Sequence, residues 1–112
     1  MNTFVKKLCD TLAKEMTKEY DEWISEIQEK TPAEIVDAAT EIFIKKQIIE
    51  SVKDADYMNI RMITALIFLE NSLQECYDHW LEHKEVVSDI SEIISDLAYI
   101  AVEIVTDDEE EM

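Results

Sequence analysis

The sequence predicts an all-α fold: a compact bundle of about five helices, with a long N-terminal helix and a disordered acidic C-terminal tail. Three observations predict it. The 112 residues include no glycine and only one proline, Pro32, whereas hairpin turns and phosphate-cradling loops lean on glycine. The composition is dominated by Glu, Lys, Ala, Leu, Met and Ile, which favour helix. The apolar residues, 47% of the chain, recur at three- and four-residue steps. A single helical domain over residues 1–106 fits this length, and its apolar content supplies one modest core.

Each helix has its own signals. Asn2 or Thr3 can cap the first. Phe4, Leu8, Leu12, Met16, Tyr20, Trp23, Ile24 and Ile27 then form one stripe. Steps of four drift by roughly 40° each at 3.6 residues per turn. The helix must therefore wrap across more than one neighbour, bend, or run beyond the domain. Thr31-Pro32-Ala33-Glu34 reads as an N-cap, a first-turn proline and a capping-box glutamate. The second helix carries Ile35, Ala38, Ala39, Ile42, Phe43, Ile48, Ile49 and Val52. Ile42-Phe43-Ile44 cannot share one face, so cover on two sides is expected. Asp54-Ala55-Asp56 ends it.

The third helix, 59–69, is apolar on nearly every side, the pattern of a buried centre; the alternative is a homodimer interface. Ser72-Leu73-Gln74-Glu75 reads as a second capping box. The fourth helix offers Leu73, Cys76, Tyr77, Trp80 and Leu81 to the core. His83-Lys84-Glu85 is a weak point. Ser88 is expected to cap a fifth helix with Ile90, Ile93, Ile94, Leu97, Ala101, Ile104 and Val105 inward. From Thr106 the chain turns polar, and the acidic tail 107–112 has nothing to bury.

Several of these blocks carry a resemblance. Thr31-Pro32-Ala33-Glu34-Ile35 is similar to a Ser/Thr-Pro-Glu-Glu-Ile opening, followed by Ala39-Thr40-Glu41-Ile42 and Lys45-Lys46. Ala65-Leu66, Leu69-Glu70-Asn71-Ser72-Leu73 and Tyr77-Asp78-His79-Trp80-Leu81 are similar to an Ala-Leu-Leu, Asn-Pro-Leu, Tyr-x-x-Trp-Leu core. Over residues 20–100 the chain resembles a small acidic all-helical domain of unknown function found in proteins of gut anaerobes, their phages and conjugative elements. Ser72 stands where that family more often has proline. The resemblance implies a helical module on mobile elements and supplies no catalytic residues.

No catalytic signature is present, and the chain reads as non-enzymatic. His79 and His83 sit at i, i+4 with Glu75 one turn earlier, residue types that zinc accepts. Yet HWLEH is not HExxH, and the paired Glu-x-x-His motifs of di-iron bundles are absent. The two histidines are read as surface groups flanking Trp80, with no metal and no cofactor expected. Cys9 and Cys76 lie far apart without a CxxC motif, which suits reduced thiols packed as small apolar groups. Neither a signal peptide nor an apolar run of the ~20 residues that span a bilayer is found. The expected location is cytoplasmic.

Charge is the most informative property. The formal net charge is −17, which disfavours direct contact with nucleic acid or anionic membranes and favours a basic protein surface. It is uneven: residues 59–112 hold fourteen acids against Arg61 and Lys84. Glu75, Asp78, Glu82, Glu85, Asp89, Glu92, Asp96 and Glu103 recur at helical steps, which keeps carboxylates near one face. Like charges a turn apart cost stability, up to roughly 0.5 kcal/mol per pair. Acidity for solubility would not need that alignment, although an amphipathic helix in any acidic protein turns its acids outward. The eight acids are the expected partner-binding residues. The partner they suit is a basic nucleic-acid-handling protein such as a nuclease, met by a DNA-mimic or anti-CRISPR type of inhibitor. The alternative is a structural or oligomerisation module built on the apolar third helix or the long first one.

Overall fold

Helix α1, Thr3–Ile27, is the longest element, and three neighbours cover it. The computed structural model describes residues 3–53, 55–85 and 89–110, with side chains to Ile104 in the last helix. Along it follow α2 (Pro32–Asp37), α3 (Ala39–Lys53), α4 (Ile60–Phe68), α5 (Ser72–His83) and α6 (Ile90–Glu110). No strand occurs among the described residues. Cys9, Leu12, Ala13 and Met16 form the buried stripe of α1. It packs on α3, α4 and α5 in turn, the wrapping that the drift of its apolar residues requires. Phe4 is an exception to the expected stripe: it is exposed. The suggested cap Asn2 lies outside the described residues.

The start of α2 is as the sequence suggests. Thr31 Oγ1 accepts the N–H of Glu34 at 3.3 Å, with Pro32 in the first turn. The expected second helix is divided in two, which makes six helices among the described residues where about five were expected. Ala38 has φ −84° and ψ 0°, and its N–H is shared between the carbonyls of Glu34 and Ile35, each at 3.1 Å. That three-centred bond flattens one turn before α3 begins. Within α3, Ile44, Ile48, Ile49 and Val52 are buried, and so is Lys45. Phe43 faces solvent, so the cover expected on two sides is incomplete.

Asn59 Oδ1 caps α4 by accepting the N–H of Met62 at 2.9 Å. α4 lies between α1 and α6 and buries Ile63, Ala65 and Leu66. It is not enclosed all round, because Ile60 and Phe68 at its two ends are exposed. With nine residues it makes only two and a half turns, too few to keep both ends under its neighbours. The linker before it contributes Ala55 and Met58 to the core. Tyr57 anchors that linker by donating its hydroxyl proton to the carbonyl of Ser51 at 3.0 Å.

α5 and α6 close the bundle. Leu73, Cys76 and Tyr77 of α5 meet the core, while Leu81, expected there, is exposed. α6 buries Ile93, Ile94, Leu97, Ala98 and Ala101 but leaves Ile104 exposed. Ser88 lies outside the described residues. The observed cap of α6 is Asp89, whose Oδ1 accepts the N–H of Ser91 at 2.9 Å while its carbonyl takes the N–H of Ile93. The backbone of α6 is helical through 107–110, the first part of the expected tail. Each fully buried Leu or Ile contributes about 1.5–3 kcal/mol through loss of apolar contact with water. Among the described residues no helix is long and apolar enough to cross a membrane.

Candidate functional site

The acidic face rests on α5 and α6, and α5 is fixed by α1. The first N–H groups of a helix have no partner within it. Asn71, directly before α5, has φ 56° and ψ 46° and makes no side-chain cap. In its place Glu19 of α1 accepts the N–H groups of Leu73 at 3.1 Å and Gln74 at 2.8 Å. Ser72, read from the sequence as the cap, is buried instead. A carboxylate at this end also meets the positive pole of the helix dipole.

Beneath this cap lies Lys45, 2% exposed. A buried ammonium must be paired and hydrogen-bonded. Its Nζ lies 2.6 Å from Glu41 Oε2 and donates to Gln74 Oε1 at 2.7 Å. It also sits 3.8 Å from the centre of the Trp23 ring, within cation–π range. One cation thus ties α1, α3 and α5 together at the level where α5 starts.

All eight expected acids are exposed. At 100° per residue, Glu75, Asp78 and Glu82 lie within about 60° of arc on α5. By the same rule Glu92, Asp96 and Glu103 share an arc of about 40° on α6. The two stripes belong to helices packed on one another. Glu85 falls in the turn after α5, and Asp89 serves as the cap of α6. The ion pairs among the described residues are Lys6–Asp10, Lys45–Glu41 and Lys53–Glu50, and none uses any of the eight. Asp78 Oδ1 accepts a hydrogen bond from Gln74 Nε2 at 3.0 Å.

Exposed aromatic and apolar residues of α6 lie near this face; Tyr99 and Ile100 were not singled out by sequence pattern, and Ile104 was expected inward. Tyr99 is 65% exposed and lies about 20° outside the arc of Glu92, Asp96 and Glu103, next to Glu92. Ile100 and Ile104 are also exposed, about 40° and 80° beyond the Asp96 edge of that arc. The signal was available for Tyr99, three residues from Asp96 and four from Glu103. Lys45 had one too, lying three, four and seven residues before Ile48, Ile49 and Val52. Nothing local marks Glu19, whose partners are more than fifty residues away.

His79 and His83 lie beside the α5 stripe, their ring centres 4.1 Å apart. His83 Nδ1 is 2.9 Å from the carbonyl oxygen of His79. A carbonyl only accepts, so Nδ1 carries the proton. His79 is half-buried, and its Nε2 is fully covered without a hydrogen-bond partner among the described residues. Burial pushes its pKa below the ordinary 6.5, and the neighbouring His83 adds to this, against Asp96 and Glu82. Glu75, the carboxylate expected to join the pair, is not the one brought there. Glu82 is: one donor atom from each of His79, Glu82 and His83 lies within 4.8 Å of the others. Cys76 does not join them; it is wholly buried, and burial pushes its thiol pKa far up.

No protein-family model, curated protein or solved structure matches the chain.

Proposed function

We propose that this chain is a non-enzymatic protein-binding module whose acidic face, on α5 and α6, engages the basic surface of a nucleic-acid-handling protein. The observation that carries this reading is the set of eight exposed carboxylates with no ion-pair partner among the described residues. Aligning like charges a turn apart along each helix costs stability that a merely soluble surface has no need to lose. A groove lined by Lys and Arg would neutralise both stripes at once and be steered to them over long range. Tyr99 and Ile100 add aromatic and apolar contact of the kind that anchors protein interfaces. In its sharpest form the partner is a nuclease of bacterial defence, and the chain acts as a DNA-mimic inhibitor of the anti-CRISPR type. The mobile-element setting rests on the family resemblance alone.

The test is a pull-down from bacterial lysate at low and high salt, with wild type and the variant Asp78→Lys/Glu82→Lys/Glu92→Lys/Asp96→Lys. Asp89 is left intact because it caps α6. The expected result is capture of a basic protein that weakens steeply with salt and is lost in the variant while helical content stays unchanged. Retention of the partner by the variant would overturn the reading.

A second reading, a structural or oligomerisation module, is favoured by one observation. Phe68 ends α4 at 71% exposure, on the helix whose sequence is apolar on nearly every side. Light scattering over a concentration series separates the two: a dimer dispersed by Phe68→Ser supports self-association, and a concentration-independent monomer excludes it.

A further inference from the structure

We propose that His79, His83 and Glu82 form a divalent-metal site of zinc type on the partly buried flank of α5, independent of any protein partner. Four observations converge on it. The first is convergence itself: the three donor atoms lie within 4.8 Å of one another. A tetrahedral ion with bonds of about 2.1 Å needs donors about 3.4 Å apart, so modest side-chain rotation closes the set. Second, the ring of His83 is already oriented. Its Nδ1–H donates to the carbonyl of His79 at 2.9 Å, which leaves the Nε2 lone pair as its available donor. Metal-bound histidines characteristically use their other nitrogen in this way.

Third, His79 has a covered Nε2 with no hydrogen-bond partner among the described residues, an unfavourable condition for a polar atom. Coordination of the ring would offset the cost of holding it against the protein. Fourth, charge balances. Glu82 supplies one negative charge, and Asp96 of α6 acts on His79 electrostatically as a second. Together they match a doubly charged ion. Two imidazoles and one carboxylate suit zinc(II) better than calcium or magnesium, which require oxygen ligands. Water takes the fourth position.

The site has the ligand number of an open zinc centre, but no base of the HExxH kind accompanies it. Its consequence is therefore placement rather than reaction. A bound ion would hold His79, His83 and Glu82 in one geometry and put a positive charge within the acidic face.

The experiment uses the full chain, stripped with chelator, titrated with cobalt(II) chloride by visible absorption and with zinc(II) chloride by calorimetry. The expected result is a single ion per chain with the visible bands of tetrahedral cobalt. His83→Ala and Glu82→Gln should each weaken binding at least about tenfold, the loss already typical of an outer-sphere change. Glu82 is exposed, so Glu82→Gln keeps its fold and reports on ligation even if a histidine variant does not. Absence of tetrahedral bands, or zinc affinity unchanged in both variants, would overturn the proposal and assign any binding to scattered surface carboxylates.

Discussion

Glu19 Oε2 accepts the backbone N–H of Gln74 at 2.8 Å, across 55 positions of sequence. Its other oxygen takes the N–H of Leu73. A side chain of α1 thus does for α5 what a neighbouring Ser or Asp does for most helices. Glu19→Ala should lower stability by about 1–2 kcal/mol, the upper range for an N-cap. Ser72→Ala should cost less, since Ser72 makes no capping bond. Urea denaturation of the two variants checks the order.

Lys45 and Glu41 give an asymmetric prediction. Removing one partner of a buried ion pair leaves an uncompensated charge and costs about 3–5 kcal/mol, whereas an apolar replacement of similar volume is often neutral. Lys45 is fully buried and Glu41 only partly so, with 24% of its side chain exposed. Glu41→Ala should therefore destabilise more than Lys45→Met. Thermal melts of the two variants, with Lys45→Met near wild type, are the measurement.

The pH dependence follows from His79. Its pKa in the folded chain lies below 6.5, chiefly through burial. Between that value and 6.5 the unfolded chain binds more protons, so stability rises with pH through this window. The contribution is complete above pH 6.5 and is lost as pH falls toward the folded value. His79→Gln should flatten that part of the stability–pH curve. His83, Glu82 and Asp96, which act on His79, should be kept intact in the comparison.

The thiols should be inert. Cys9 and Cys76 are free and fully buried, and the thiolate is the reactive form. Iodoacetamide at neutral pH should label neither in the native chain and both in urea, read by mass spectrometry. Labelling of Cys76 in the native state would contradict its burial.

Fold and site differed in how far the sequence exposes them. The helices starting at Pro32 and Ile60 are legible because their caps, Thr31 and Asn59, are local. The start of α5 is only half legible: Ser72-Leu73-Gln74-Glu75 mimics a capping box, but the real acceptor comes from Glu19, outside any local window. Leu81 and Ile104 have apolar identity and helical phase, yet they lie where the bundle has no further neighbour to cover them. Periodicity gives the direction of a side chain, not whether anything stands opposite. The outward acids were legible for the same reason in reverse, since exposure needs no partner. Replacing Glu75 by Glu82 beside the histidines depends on rotamers, which spacing does not encode.

The cover of α1 also constrains the order in which the chain can fold during synthesis. α1 emerges from the ribosome before α3, α4 and α5, with Cys9, Leu12 and Met16 still lacking the surfaces that bury them. Most of those surfaces come from α3, α4 and α5. Contacts of long sequence separation form late because closing the intervening loop costs entropy. The apolar stripe of α1 is therefore only partly covered, by α3, until α4 and α5 have followed. The docking of Glu19 onto the start of α5 marks the moment when that exposure ends.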